Sequence, residues 1–292
     1  MPFTLAHPAA VLPLLRRPFS RAALVAGAVA PDMPYFVSTV GLPVSARSWY
    51  EPFVNATTTH GVSGVVPVTL PYALTLWALL RAGHRPLASL LSLAAAPSWP
   101  GSVGALVRRA GWIVLSALIG IATHLVWDSF THFDGFVVTH APWLDNAMVG
   151  GLSWARALQH VSTIGGLAAL AVYGWRGRAR LLTGDGRRTG PGGAARRRVL
   201  LAMALVTAVG AVAHAWRWLT GPEEVATGLP LSAVVEGALS DAAKGAGAGL
   251  IVSLALYVLA WWIRRAVMAA RPREAGASEL YDDAPQAKSA LP

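Results

Sequence analysis

His124, Asp128 and His132 follow one another at intervals of four residues within Gly120-Ile121-Ala122-Thr123-His124-Leu125-Val126-Trp127-Asp128-Ser129-Phe130-Thr131-His132. On a helix, residues four apart lie one turn above each other, so this spacing lines two imidazoles and a carboxylate along one stripe. The run from about Ala110 into the motif is almost wholly apolar. Ionisable groups are costly in such a segment unless a partner offsets them. A divalent metal suits the set: zinc first, because it accepts imidazole and carboxylate together, with manganese or iron next. Such an ion lowers the pKa of a bound water and stabilises anionic oxygens, which is the chemistry of hydrolysis. The plain alternative is that His124 and Asp128 hydrogen-bond each other or neighbouring helices.

Further candidate ligands lie outside this motif: His7, Asp32, His60 and His160, with His140 competing against His132. His132 is preferred because it continues the stripe. Each has a structural alternative. Asp32 after Pro31 would N-cap a helix starting at Met33. His7 before Pro8 would open a helix, and His60 would mark the interface where a span begins. His160 lies inside an apolar stretch and is harder to explain that way. Asp32 or Asp128 could bridge a pair of metals. Arg217 is a candidate for holding an anionic group of the substrate, although Trp216 and Trp218 beside it also read as an interfacial aromatic belt.

The 292 residues are 54% hydrophobic and only 13% charged, with a mean hydropathy of +0.49. Soluble domains carry about 25% charged residues, so the composition is that of a membrane protein. The formal net charge is +10, but the arginines stand between apolar runs. They read as orientation signals and not as a nucleic-acid surface. With no cysteine, thiolate ligands, disulfides and cysteine nucleophiles are excluded.

The elements that must position these residues can be read in order. Pro8 to Leu15 suggests a short helix. Arg16-Arg17-Pro18-Phe19, the apolar run to Ala30, and Ala28-Val29-Ala30 together resemble a secretory signal, but Pro31 directly after that cleavage pattern argues against removal. Residues 8–17 and 21–31 are instead expected to form a re-entrant hairpin that returns His7 to the side of the other ligands. Spans are expected at about 60–80 (kinked at Pro67 and Pro71), 110–130, 155–175, 199–219 and 246–263. Residues 86–107 are too interrupted for a full span. Residues 220–245 read as a short loop and an amphipathic helix, and there is no internal repeat. The fold class is all-α, a polytopic transmembrane bundle of about five to six spans. Its parts are a metal-site region (1–175), a cytoplasmic Arg/Gly-rich loop (176–198), C-terminal transmembrane helices (199–267) and a disordered tail (268–292). Arg81, Arg85, Arg108 and Arg109, the eight arginines of 176–198, and Arg264 with Arg265 alternate along the chain with acidic loops. This arrangement puts His60, Asp128, His132 and His160 at the non-cytoplasmic ends of their helices.

The motifs also carry a resemblance. Pro2-Phe3-Thr4 with His7-Pro8-Ala9-Ala10, Ala30-Pro31-Asp32 with Tyr35-Phe36, His60-Gly61-Val62-Ser63-Gly64, the His124–His132 run and Gln159-His160 look like an uncharacterised bacterial membrane family, domain-of-unknown-function family 4184. That family resembles membrane-bound metal-dependent hydrolases and, distantly, zinc-dependent phospholipases C and single-strand zinc nucleases. The resemblance implies an all-helical enzyme in which His7, Asp32, His60, His124, Asp128 and His160 hold metal. Ile164 stands where the soluble zinc enzymes have a Glu, and Met1 where they have a Trp. One or two ions are therefore expected here, not three. The expected function is hydrolysis of a phosphoester, with Asp128 and His132 catalytic. Its partners would be membrane lipids and a lipid-linked substrate, in the bacterial cytoplasmic membrane, with no nucleic acid. The alternative is a non-enzymatic membrane protein that uses the cluster for metal or proton transfer or for helix packing.

Overall fold

The computed structural model describes residues 4–38, 47–91, 93, 99, 101–148, 152–181, 191–221 and 231–270. Met1, much of the Arg/Gly-rich loop, Glu223 and Glu224, and the tail from Arg271 onward lie outside the described residues.

A 3-10 helix, Thr4–Leu14, opens the chain. It turns back into α1, Arg21–Val29, which Ser20 caps through its side chain. A 3-10 turn, Ala30–Asp32, leads into α2, Met33–Ser38. Two short helices follow, α3 (Glu51–Val54) and α4 (Ala56–His60). After a π-helical turn, Val65–Thr69, come α5 (Leu70–Leu91) and α6 (Val103–Thr131). The remaining helices are α7 (Phe136–His140), α8 (Trp154–Leu181), α9 (Gly193–Leu219) and α10 (Leu231–Ala270). Among the described residues the only β-type pairing is one bridge, Ala147 to Ser153.

Four helices are long and apolar enough to cross a membrane: Val62–Leu91, Val103–Thr131, Gly193–Leu219 and Gly237–Ala270. The chain is a membrane protein. The span expected at 155–175 is not among them. Its helix, α8, has 28 residues, about 42 Å, but Arg156, Gln159, His160, Ser162 and Thr163 make its first third polar, and Arg176, Arg178 and Arg180 its end. The first span does not stop near Leu80. Pro86 sits inside α5 and the helix runs to Leu91, because proline removes one hydrogen bond without forbidding continuation where neighbours cover the gap. The carbonyl that Pro86 leaves without its N–H partner, Ala82 O, accepts instead from Trp262 Nε1 of α10 at 3.1 Å, and Tyr257 donates nearby to Pro86 O at 3.3 Å. Pro67 is absorbed by the wide π turn. The expected loop and separate amphipathic helix before the last span are replaced, from Leu231 onward, by one continuous helix of 40 residues.

The expected hairpin is present, and its packing against α6 sets the site. An added Cβ at Gly27 would overlap Ala117 O, and one at Gly120 would overlap Leu24 O and come within 2.7 Å of Ala28 N. Small residues thus let the two backbones touch, as membrane helices do where packing must replace hydrophobic drive. Ala23, Ala30, Ala73, Ile113, Ala117 and Ile121 form the core around this crossing. α9 and α10 use the same device at Gly210, Gly245 and Gly249.

Candidate metal centre

The close crossing of α1 on α6 has a chemical consequence one turn further on. His124, fully buried, donates from Nδ1 to Ala28 O at 2.8 Å. A carbonyl only accepts, so Nδ1 carries the proton and the Nε2 lone pair points away from it. His60 repeats the arrangement from another element. It ends α4, a single turn capped at its start by Asn55 Oδ1, which accepts from Thr57 N at 2.8 Å. Its Nδ1 donates to Ala56 O at 2.8 Å. Two imidazoles with Nδ1 fixed by main-chain carbonyls and Nε2 presented inward are the usual outer-shell preparation of metal-binding histidines.

The Nε2 atoms of His60 and His124 lie 3.3 Å apart. His60 Nε2 is 3.3 Å from Asp128 Oδ2 and 3.5 Å from Asp32 Oδ1. His124 Nε2 is 3.0 Å from Asp128 Oδ2 and 3.5 Å from Asp32 Oδ1. The four donor atoms all fall within 4.8 Å of one another. A regular tetrahedron around zinc, with bonds of about 2.0–2.1 Å, has edges of about 3.3–3.4 Å. The five separations above bracket that value.

Both oxygens of Asp32 and of Asp128 are buried without a hydrogen bond, as are His7 Nε2 and His132 Nε2. Buried polar atoms are almost always paired, and unpaired carboxylates in this setting cost several kcal/mol, by order of magnitude, unless a cation offsets them. A proton can serve one pair of these atoms at a time; a metal serves all four together. The residues present therefore fit a divalent ion. Without one, the site holds a proton. Burial would lower the His60 imidazole, but the Asp128 and Asp32 carboxylates and the Ala56 carbonyl outweigh it and push the pKa up to about 10.

Asp32 is not a helix cap: it is fully buried, and neither carboxylate oxygen bonds to backbone. Thr59 fixes it relative to His60. The Thr59 hydroxyl, fully buried, sits 2.6 Å from Pro31 O and 3.0 Å from Ala56 O, and Thr69 donates to Thr59 O at 2.9 Å. These threonines tie the turn bearing Asp32, the helix bearing His60 and the start of the first span together. The reading of the sequence passed over them, as it did Gly27 and Gly120. The signals were the run Thr57-Thr58-Thr59 before His60, and glycines inside apolar stretches.

His7 and His132 flank the four-atom cage. His7 stacks on His124, with ring centroids 3.8 Å apart and planes 22° apart, and its Nε2 is 3.6 Å from Asp128 Oδ1, the oxygen turned away from the cage. His132 falls just past the end of α6, yet its Nε2 still reaches within 3.5 Å of Asp128 Oδ2. Two other candidates are not brought to this group. His160 faces outward on α8 and stands apart from the group, because helical periodicity fixes which residues share a face but not which face meets the partner. Arg217 is exposed near the end of α9, a helix that packs on α10. His140 is likewise exposed, donating from Nδ1 to Phe136 O at 2.8 Å.

The family model for a domain of unknown function, DUF4184, matches residues 1–259. The chain belongs to the DUF4184 family. The match covers every residue of the cage and both flanking histidines. No curated protein and no solved structure matches this DUF4184 chain.

Proposed function

We propose that this DUF4184 protein is a membrane-embedded, metal-dependent hydrolase of phosphoesters, with zinc as the resident ion. The observation that carries the reading is the cage of Asp32, His60, His124 and Asp128. Five of its donor separations bracket the tetrahedral edge, and its buried carboxylates face the ring nitrogens of His7, His60, His124 and His132. A divalent ion held there supplies Lewis acidity and an activated water. The chain's own residues supply the rest. Asp128 offers Oδ2 to the cage and Oδ1 toward His7, so it can join a second ion position or orient what is bound at the first. The side chains of Asp32 and His124 are fully buried, whereas those of His60 and His132 are 21% and 19% exposed. Water therefore reaches the cage from the His60–His132 side, and His132 is placed to exchange a proton at that rim. His160 and Arg217 have no part in this site. We place the protein in the bacterial cytoplasmic membrane with this rim on the non-cytoplasmic side, following the loop arginines, and take its substrate to be lipid-linked.

One observation favours a second reading. Four protein donors complete a tetrahedral zinc shell, and closed shells are typical of structural sites. A non-catalytic metal site, or one that passes metal or protons, would have this form. Purified protein in detergent micelles, loaded with zinc, separates the two when given bis-p-nitrophenyl phosphate and a phospholipid. The hydrolase reading expects turnover abolished by chelator and reduced about 100-fold or more by Asp128→Asn, since even outer-shell changes at metal sites cost 10–100-fold. Tightly held zinc without turnover on either substrate would select the second reading.

A further inference from the structure

Beside the cage lies a cavity of about 390 Å³ between the N-terminal 3-10 helix, Trp127 of α6 and the first half of α8, within the range of small-molecule sites. His7 belongs to both: its ring lines the cavity, and its Nε2 faces Asp128 Oδ1 at 3.6 Å. The remaining wall is apolar or glycine apart from Ser162, whose hydroxyl is already used within its helix, donating to Gln159 O at 2.9 Å. Gly166 closes one side, where an added Cβ would come within 3.0 Å of Ala6, while a Cβ at Gly165 would meet open space. The rim is formed by Trp127 and Val161, 43% and 68% exposed, the former on a membrane-crossing helix.

We propose that this cavity holds one hydrocarbon chain of a membrane phospholipid whose phosphate lies at His7 and Asp128. The inference rests on the reading of the cage as a phosphoester site and adds the part of the substrate that the cage does not touch. Three observations choose the occupant. Apart from His7 the wall offers only the Trp127 indole N–H and the Ser162 hydroxyl as hydrogen-bonding side-chain groups, too few for a sugar, nucleotide or peptide, which would bury polar atoms unpaired. The rim opens beside an apolar span, where acyl chains are the abundant apolar molecules. His7 borders both the cavity and the cage, a juxtaposition that matches an apolar chain joined to a polar head. A chain arriving from the bilayer gains no hydrophobic free energy, because lipid tails are as apolar as the wall. The cavity therefore selects and orients the lipid, and the head supplies the affinity.

The test is photo-crosslinking in nanodiscs containing a phosphatidylcholine with a diazirine midway along one acyl chain, followed by peptide mapping. Adducts are expected to concentrate on residues 6–10 and 158–169. Gly165→Leu fills the cavity and should lower those adducts about tenfold while the protein keeps its zinc. Ala169→Leu, one turn further along the helix, should act in the same direction. Adducts spread evenly over exposed faces such as Val212 and Leu256, or unaffected by both substitutions, would overturn the proposal. So would an absence of lipid adducts at these residues, as expected where a protein partner covers the groove. Concentrated, Leu-sensitive labelling without any hydrolysis would uphold the lipid cavity while removing the hydrolase reading.

Discussion

Asp128 reaches every histidine of the candidate centre, because its two oxygens face different partners: Oδ2 toward His60, His124 and His132, and Oδ1 toward His7. His60 is one residue whose protonation must change if metal binds. In the metal-free site its pKa stands at about 10, so at neutral pH it is charged, and a metal requires it neutral. Loading therefore expels this proton, and apparent zinc affinity should rise about tenfold per pH unit between pH 6 and 8 from this group alone. Competition titration against a chelator dye across that range measures it. An affinity that is flat with pH would remove His60 from the ligand set.

The hairpin of the N-terminal 3-10 helix and α1 acts on the site through α6. Gly27 and Gly120 let the backbones meet, and only at that separation can Ala28 O receive the His124 proton. Gly120→Val should therefore force the helices apart. Metal affinity is expected to fall 10–100-fold, as for loss of an outer-shell partner, while Gly111→Val on the same helix, where an added Cβ meets nothing within 4 Å, should leave it intact. Equal affinity in both variants would separate the helix crossing from the metal site. Much of this element-level picture was legible in the sequence. The four-residue spacing of His124, Asp128 and His132 needed only the helical period, and the need to return His7 to the side of the other ligands pointed to the hairpin. What could not be read were relations between elements: the hydrogen bond from Thr59 to Pro31 O, which brings Asp32 beside His60 across 28 residues of chain, and the rotation of α8 that turns His160 outward. Local pattern encodes faces, and tertiary packing decides which face meets which.

For the molecule as a whole, the orientation proposed from the loop arginines needs α8 to cross the membrane, although α8 is not among the four long apolar spans and α10 runs antiparallel to α5. The absence of native cysteine makes this direct to test. Asn146→Cys before α8 and Gly192→Cys after it should react with a membrane-impermeant maleimide from opposite sides. Labelling from the same side would agree instead with the antiparallel run of α10 along α5, in which Tyr257 meets Pro86 and Trp262 meets Ala82. It would also move the site to the cytoplasmic face. The account as a whole depends on whether the cage holds a metal. Elemental analysis of detergent-purified protein, wild type beside His124→Ala/Asp128→Ala, answers that most directly. The account predicts one or two zinc ions per chain in the wild type and none in a double variant that remains monodisperse. Metal absent from both proteins, or equal in both, would contradict it.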